Sequence, residues 1–181
     1  MTQAGDPGAL TNRLADDTRG LALVEFAITL PFLFMLFVGG FQLSDAVSAY
    51  RKVTTASRTI ADLTSQYTSV MDSDLETILN ASQQVMAPYP AANAKMTVSQ
   101  IKIDNAGDAK VDWSLGKNMA KLAKGTPFNI PVSIKQRNTS LIVAQIEYAY
   151  RPTFFWGLLG TIPLTETIIM SPRATGSIVH T

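Results

Sequence analysis

The feature that most constrains this chain is a stretch of 19 residues, 26–44, that contains no charged side chain. As an α-helix rising 1.5 Å per residue it is about 28 Å long, close to the ~30 Å hydrocarbon core of a bilayer. It also accounts for a composition of 46% hydrophobic and only 16% charged residues, whereas soluble domains carry about 25% charged residues. The stretch therefore predicts one membrane-spanning helix at about 26–44.

The charges that flank this stretch do not fix its orientation in the membrane. Two basic residues precede it and three follow it, namely Arg13 and Arg19 against Arg51, Lys52 and Arg58, so the positive-inside count does not decide. A cleaved secretory signal is the competing interpretation, with a small-x-small site at 44–46. The stretch is longer than a usual signal core and contains Pro31, which favours the membrane span.

The helical pattern continues beyond the charge-free stretch. Small and apolar residues recur at alternating spacings of three and four: Ala46, Ala49, Val53, Ala56, Ile60, Leu63 and Tyr67. This period is typical of a helix with one apolar face, so we predict a single helix over 21–68. The stripe fits two interpretations: it packs on the protein's own globular head, or on the helix of a neighbouring subunit.

The pattern of residues 69–181 predicts an α+β head that consists of a small antiparallel sheet and a second helix. We expect the long helix to pack on this head. The second helix is expected from Ser73, where Ser73-Asp74-Leu75-Glu76 has the form of a capping box, to just before Pro88. Alternating apolar residues predict strands at 96–103, 110–114, about 130–136, 140–150 and 164–170.

The connections of the head are predicted from turn residues and charge spacing. Asx and Gly residues at 104–108 indicate a hairpin turn rather than a calcium loop, because the acidic ligand at position twelve is missing. Three lysines, Lys117, Lys121 and Lys124, share the spacing of a short helix. We further expect an aromatic flap at 153–160 and a frayed end at 171–181.

Composition argues against several functional classes. Fifteen basic and 14 acidic residues give a net charge of +1, so the chain has no overall electrostatic attraction to nucleic acid. Cysteine is absent and His180 is the only histidine, which excludes disulfides, thiolate sites, histidine-dependent triads and multi-histidine metal sites. We therefore expect no enzyme activity, no catalytic residue, no cofactor, no metal site and no nucleic-acid partner.

Glu25 is the informative residue at the start of the charge-free stretch. A carboxylate close to a membrane helix needs a partner or a position among the lipid head groups. In one interpretation Glu25 is a boundary acid, favourably placed near a helix N-terminus. In the other, cleavage after Gly20 makes Leu21 the new N-terminus, and the ammonium group of one subunit pairs with Glu25 of another.

Residues 19–31, Arg-Gly-Leu-Ala-Leu-Val-Glu-Phe-Ala-Ile-Thr-Leu-Pro, resemble the N-terminal signature of TadE-like proteins. These are minor pseudopilins of the bacterial tight-adherence (Tad, Flp-type) pilus. The shared features are Gly20 before the cut, an acid at the fifth mature position followed by Phe26, and Pro31 six residues after the acid. The resemblance covers about 15–60 and has two departures: Gln42 stands where many relatives carry an acid, and one arginine directly precedes Gly20 instead of a basic cluster.

The resemblance implies how such a protein is processed and where it resides. It implies a leader, 1–20, removed by a prepilin peptidase between Gly20 and Leu21, and assembly contacts through Glu25, Phe26 and Pro31. It also implies residence in the bacterial inner membrane with a periplasmic head, 69–181. The implied partners are the prepilin peptidase, other Tad pilins and pseudopilins, the inner-membrane Tad platform and the lipid bilayer.

The implied function is that of a minor pilin, TadE or TadF in type, which supports pilus assembly and surface adhesion. The alternative from a different class is a single-pass, membrane-anchored periplasmic binding module that is neither processed nor polymerised.

Overall fold

The structure is a computed structural model that describes residues 19–154, 157 and 160–181. The chain divides into two units, Met1–Ser44 and Asp45–Thr181, and helix α1 (Arg19–Ser65) has residues in both. The predicted α+β fold with a long apolar N-terminal helix is confirmed. Most of the predicted leader, and part of the predicted flap at 153–160, lie outside the described residues.

The first unit contributes the apolar part of α1. An 18-residue window in this helix has a mean hydropathy of 2.4, and only 6% of that window is buried. Among the residues that the structure describes, this is the one helix long and apolar enough to cross a membrane. The helix continues through Pro31 without a break.

The second unit, the head, contains the end of α1 and an antiparallel sheet. Its elements are β1 (Ser69–Val70), α2 (Asp72–Val85), β2 (Ala94–Ile103), β3 (Ala109–Lys117), β4 (Thr139–Tyr150), β5 (Ile162–Met170) and β6 (Val179–His180). The four longer strands form one antiparallel sheet in the order β3-β2-β4-β5, while β1 and β6 pair in parallel. The predicted hairpin between β2 and β3 is confirmed by their register.

One face of the sheet is covered by helices. The middle of the distal stripe is fully buried there, with Val53, Ala56 and Ile60 in the same apolar cluster as Ile142 and Ile146 of β4. Tyr67, the last residue of the predicted stripe, lies beyond the end of α1 and is exposed. The hydroxyl of Ser57 donates to the carbonyl of Ala144 over 3.2 Å, so the two backbones lie close together. The stripe thus packs on the protein's own head, the first of its two interpretations.

Helix α2 adds its predicted apolar face to the same cluster, through Leu75, Ile78 and Leu79. It begins at Asp72 rather than Ser73, because the carboxylate of Asp74 accepts the backbone N–H of Met71 at 3.0 Å and caps the first turn. The predicted capping residue Ser73 therefore lies inside the helix.

The other face of the sheet is covered by the long loop between β3 and β4. Ile130 of this loop is buried with Ile101, Val111 and Val143. The predicted short helix through Lys117, Lys121 and Lys124 is wrong, and so is the strand at 130–136, which holds a 3-10 turn, Val132–Ile134. The physical reason is that backbone groups of the loop bond to β3 instead: Gly125 donates to Val111 over 2.7 Å, and Phe128 to Ala109 over 2.9 Å.

The last eleven residues, 171–181, form a strap along the head, so the predicted frayed end is wrong. Three backbone N–H groups of this C-terminal strap donate to the last residue of α1 and to the segment after it: Arg173 to Ser65, Val179 to Thr68 and Thr181 to Val70. Ile178 is buried in the apolar cluster, and the guanidinium of Arg173 lies 2.7 Å from Asp62 of α1.

Candidate functional site

The sequence-predicted residues lie on the first turns of α1. Leu21 and Glu25 are four residues apart, which places them on one helix face about 6 Å apart along the axis. The carbonyl of Glu25 accepts the hydroxyl of Thr29 over 2.8 Å. Leu21, Glu25 and Phe26 are all exposed, so no described part of the chain covers them.

Gly20 and Pro31 are the two residues of this segment that a helix disfavours. Glycine costs about 1 kcal/mol relative to alanine in a helix interior, and proline about 3 kcal/mol. Apart from the two chain neighbours and the adjacent backbone of the helix itself, no atom of the described residues lies within 4 Å of the position that a Cβ at Gly20 would take. Pro31 has no N–H to donate to Ala27. The chain's own packing therefore gives no reason for glycine at position 20.

An exposed apolar helix of bilayer length joined to an α+β head fits a single-pass membrane anchor. Residues 20–62 match the family model described as TadE-like protein. The resemblance in the sequence is thus confirmed, and this segment is similar to a component of the Tad pilus. The match covers less than a quarter of the chain and lies within α1. No curated protein and no solved structure is similar enough to the chain to count as a match.

A second cluster surrounds Asp45, the first charged residue after the charge-free stretch. The hydroxyl of Tyr150 donates to Oδ2 of Asp45 over 2.5 Å. The hydroxyl of Tyr89 lies 2.8 Å from Oδ1 and 3.0 Å from the carbonyl oxygen of the same residue. The two rings meet edge to face, with centroids 6.3 Å apart. Asp45 is thereby held from two directions within the head.

Tyr89 of this Asp45 cluster and Tyr148, which is close enough to feel the charge of Asp45, are not ionised at neutral pH. Burial, together with the hydrogen bond to Asp45, raises the pKa of Tyr89 to about 12. Burial and the charge of Asp45 also raise the pKa of Tyr148. Both phenols stay protonated, and that of Tyr89 remains the donor to Asp45. Sequence reasoning missed this cluster, because Tyr89 and Tyr150 lie 44 and 105 residues from Asp45 in the chain and the three residues form no local pattern.

The C-terminal strap is held by the buried amide of Gln100. Its Nε2 lies 3.0–3.1 Å from three acceptors, Asp112, Ser177 and the carbonyl of Ile178, which share its two N–H groups. Its Oε1 accepts the N–H of Ile178 over 2.7 Å. The amide nitrogen and the amide oxygen both bond to the strap, and the nitrogen also bonds to Asp112 of β3, so Gln100 fixes the strap by polar contacts.

A groove of about 630 Å³ lies between the strap and the loop after β3. The ring of His180 stacks on Trp113 at 5.7 Å, and its Nε2 lies 2.9 Å from Asp72. The other lining residues include Lys121, Leu122, Lys124 and Ser177. The groove combines one aromatic surface with two lysines.

The acidic turn at 104–108 has no arrangement for a metal ion. The N–H of Asp108 donates to Oδ1 of Asp104 over 2.8 Å, and this hydrogen bond lowers the pKa of Asp104, with help from Lys110. In the described part of the chain, no group of three or more His, Cys, Asp or Glu side chains is placed to hold a metal.

Proposed function

We propose that this protein is a minor pilin or pseudopilin of a Tad pilus, and that it supports pilus assembly and surface adhesion. The observation that carries the proposal is the TadE-like match over 20–62 on an exposed apolar helix whose first turns carry Gly20 and Glu25. The head, 69–181 in the sequence-based division, faces the periplasm in this proposal, and the helix anchors it in the bacterial inner membrane.

The first step is removal of the leader, 1–20, by a prepilin peptidase. A peptidase that cuts between Gly20 and Leu21 must bind the backbone closely, and glycine permits such an approach because it has no side chain. The open space around position 20 supports this reading, because the folded chain itself does not require glycine there.

The second step is assembly with other Tad pilins and pseudopilins on the inner-membrane platform. After cleavage the ammonium group of Leu21 and the carboxylate of Glu25 are both present in each subunit, in an apolar surrounding. Pairing between subunits satisfies both charges, while removal of one partner of such a buried pair costs about 3–5 kcal/mol. Glu25 in this way sets the register between subunits, and Phe26 and Pro31 shape the adjoining contact.

Intact mass of the protein recovered from its native membrane tests the processing step. We expect a chain that begins at Leu21. Gly20→Leu should leave the precursor uncut, whereas the matched change Gly40→Leu, also at an open helical glycine, should be processed normally. An intact leader on the wild-type protein, or a start near Val47, contradicts the proposal.

Co-purification of pilus components tests the assembly step. At matched levels in the membrane, Glu25→Ala should weaken association by about a thousandfold, the equivalent of roughly 4 kcal/mol. Glu76→Ala, which removes an exposed acid of α2, serves as the control and should assemble like the wild type. Unchanged assembly of Glu25→Ala would show that Glu25 is a helix-boundary acid only.

The groove between Trp113, His180 and the two lysines favours a second candidate, an anchored binding module that is not processed or polymerised. The same mass measurement separates the two functions, because a plain anchor retains residues 1–20.

A further inference from the structure

The exposed residues next to the Asp45 cluster form an end of the head that is both aromatic and cationic. Strand β4 ends at Tyr150, and the chain continues through exposed Arg151 to Phe154, whose side chain is 47% exposed. Arg151 lines a groove of about 270 Å³ together with Asp45, Tyr89 and the prolines on either side of Tyr89, Pro88 and Pro90.

Chain connectivity locates this end of the head relative to a membrane. Asp45 follows the charge-free stretch 26–44 directly, so the chain leaves the hydrocarbon core close to Asp45 whatever the tilt of the membrane segment. Tyr89 and Tyr150 both bond to Asp45. Residues next to these tyrosines are therefore within a few side-chain lengths of the lipid head groups.

The chemistry of these residues suits that depth. Tyrosine and other aromatic side chains are enriched where a membrane meets water, because the ring is apolar and the hydroxyl is polar. An exposed arginine there can pair with lipid phosphates through its planar guanidinium, and basic residues near an anionic leaflet are attracted to it. Tyr148 and Tyr150 are buried and hold the fold, whereas Arg151 and Phe154 are exposed and Tyr89 is half-buried.

The opposite end of β4 provides an internal comparison. The strand has 12 residues, so its two ends lie about 37 Å apart at 3.4 Å per residue step. The far end contains the 3-10 turn with Val132, 89% exposed, which adjoins Thr139 at the start of β4. Val132 is thus more exposed than Phe154, yet far from the point where the chain leaves the membrane.

We propose that the end of the head formed by Tyr89, Arg151 and Phe154 rests on the lipid surface, with Arg151 on the phosphates and Phe154 in the interfacial layer. This proposal rests on the membrane anchoring in the proposed function. The Asp45 cluster then acts as the support that keeps these residues at head-group depth.

The absence of cysteine allows a clean test on the full chain. Phe154→Cys and Val132→Cys, each labelled with an environment-sensitive fluorophore, are reconstituted into vesicles of zwitterionic and anionic phospholipid. We expect the label at 154 to be quenched by a lipid-attached quencher and shielded at least severalfold from aqueous iodide. The label at 132 should behave in the opposite way. Equal iodide access at both positions overturns the proposal.

The charge at Arg151 gives a second readout. Arg151→Glu should raise iodide access at position 154 severalfold, while Lys135→Glu, the same charge change at the far end, should leave it unchanged. If Arg151→Glu has no effect, arginine does not hold this end on lipid. Alkaline extraction of the same vesicles tests membrane anchoring separately from the lipid contact of the head. A chain that is not anchored leaves the pellet, which contradicts the anchoring. An anchored chain whose label at 154 is exposed to iodide overturns only the lipid contact.

Discussion

The two halves of α1 have the same backbone conformation and opposite surroundings. In the first half, large side chains such as Leu36 and Phe37 are 72% and 73% exposed. In the second half, Val53, Ala56 and Ile60 are completely buried against the sheet. The first half is apolar all round, and the second confines its apolar residues to one stripe. A helix thus shows by its residue pattern whether it requires lipid or a protein face.

The largest expected effect comes from separating these halves. A chain that begins at Asp45, the first residue of the second unit, should be soluble and folded, because it retains the stripe and the Asp45 cluster. A chain that begins at Thr54 loses Ala49 and Val53 from the core and should aggregate or unfold. Sedimentation and circular dichroism of the two fragments check this. A folded Thr54 fragment would show that the core needs less of α1 than its burial indicates.

A matched pair of core and membrane substitutions sharpens the comparison. Ile60→Ala should lower the free energy of unfolding of the head by about 3–4 kcal/mol, since it removes a fully buried side chain and leaves a cavity. Phe37→Ala removes a larger but exposed side chain and should leave head stability unchanged. Denaturant unfolding of the full chain in detergent micelles, followed by tryptophan fluorescence, measures both. Equal effects would contradict the difference between the two halves.

The C-terminal strap is held to the head by polar contacts and by one apolar side chain. Gln100→Ala should leave the buried N–H of Ile178 without a partner, while the carbonyl of Ile178 keeps the indole N–H of Trp113 at 3.3 Å, and should cost about 2 kcal/mol. The strap should then be cut sooner by carboxypeptidase, while α2 stays folded. Gln145→Ala, at a half-buried position of the same sheet, is the control. Unchanged protease resistance in Gln100→Ala would mean that the backbone hydrogen bonds of the strap, the Arg173–Asp62 ion pair and the burial of Ile178 retain the strap without Gln100.

The smallest effect is expected at the Asp45 cluster. Tyr89→Phe should cost about 1 kcal/mol, because it removes a half-exposed hydrogen bond to a carboxylate. The pKa of Tyr89 is raised to about 12, above the value near 10 of an unfolded chain. Its contribution is therefore fully present below about pH 10 and is lost as the pH rises through about 12. As the pH rises from about 10 to about 12, the free energy of unfolding should therefore fall less for Tyr89→Phe than for the wild type.

Local patterns predicted the elements whose partners are close in the sequence. Alternation along 140–150 predicted β4 and its core face of Ile142, Ala144 and Ile146, which is confirmed. Turn residues at 104–108 predicted the β2–β3 hairpin. The short helix at 117–124 was wrong because lysine spacing reports which residues share a face only if a helix exists. Here the loop backbone bonds to β3 and no turn of helix forms.

The candidate site divides in the same way. Gly20, Glu25 and Pro31 are recognisable from the sequence because their spacing is local, and the family match falls on that segment. Asp45 could be read from the sequence only as the end of a charge-free stretch. Its contacts with Tyr89 and Tyr150 depend on packing α1 against the sheet, and no pattern along the chain encodes that.

The sequence by itself determined that this protein has an apolar helix of bilayer length, an acid five residues after a glycine, and a head that mixes helix and antiparallel strands. These properties follow from the order of polar and apolar residues, which acts over one or two helical turns or a single strand. Only the tertiary structure decided that residues 171–181 are ordered and that Asp45 is held by two tyrosines. The reason is that Gln100 can satisfy the backbone of Ile178, and Asp45 can accept from Tyr150, only after the chain has folded back across 78 and 105 residues.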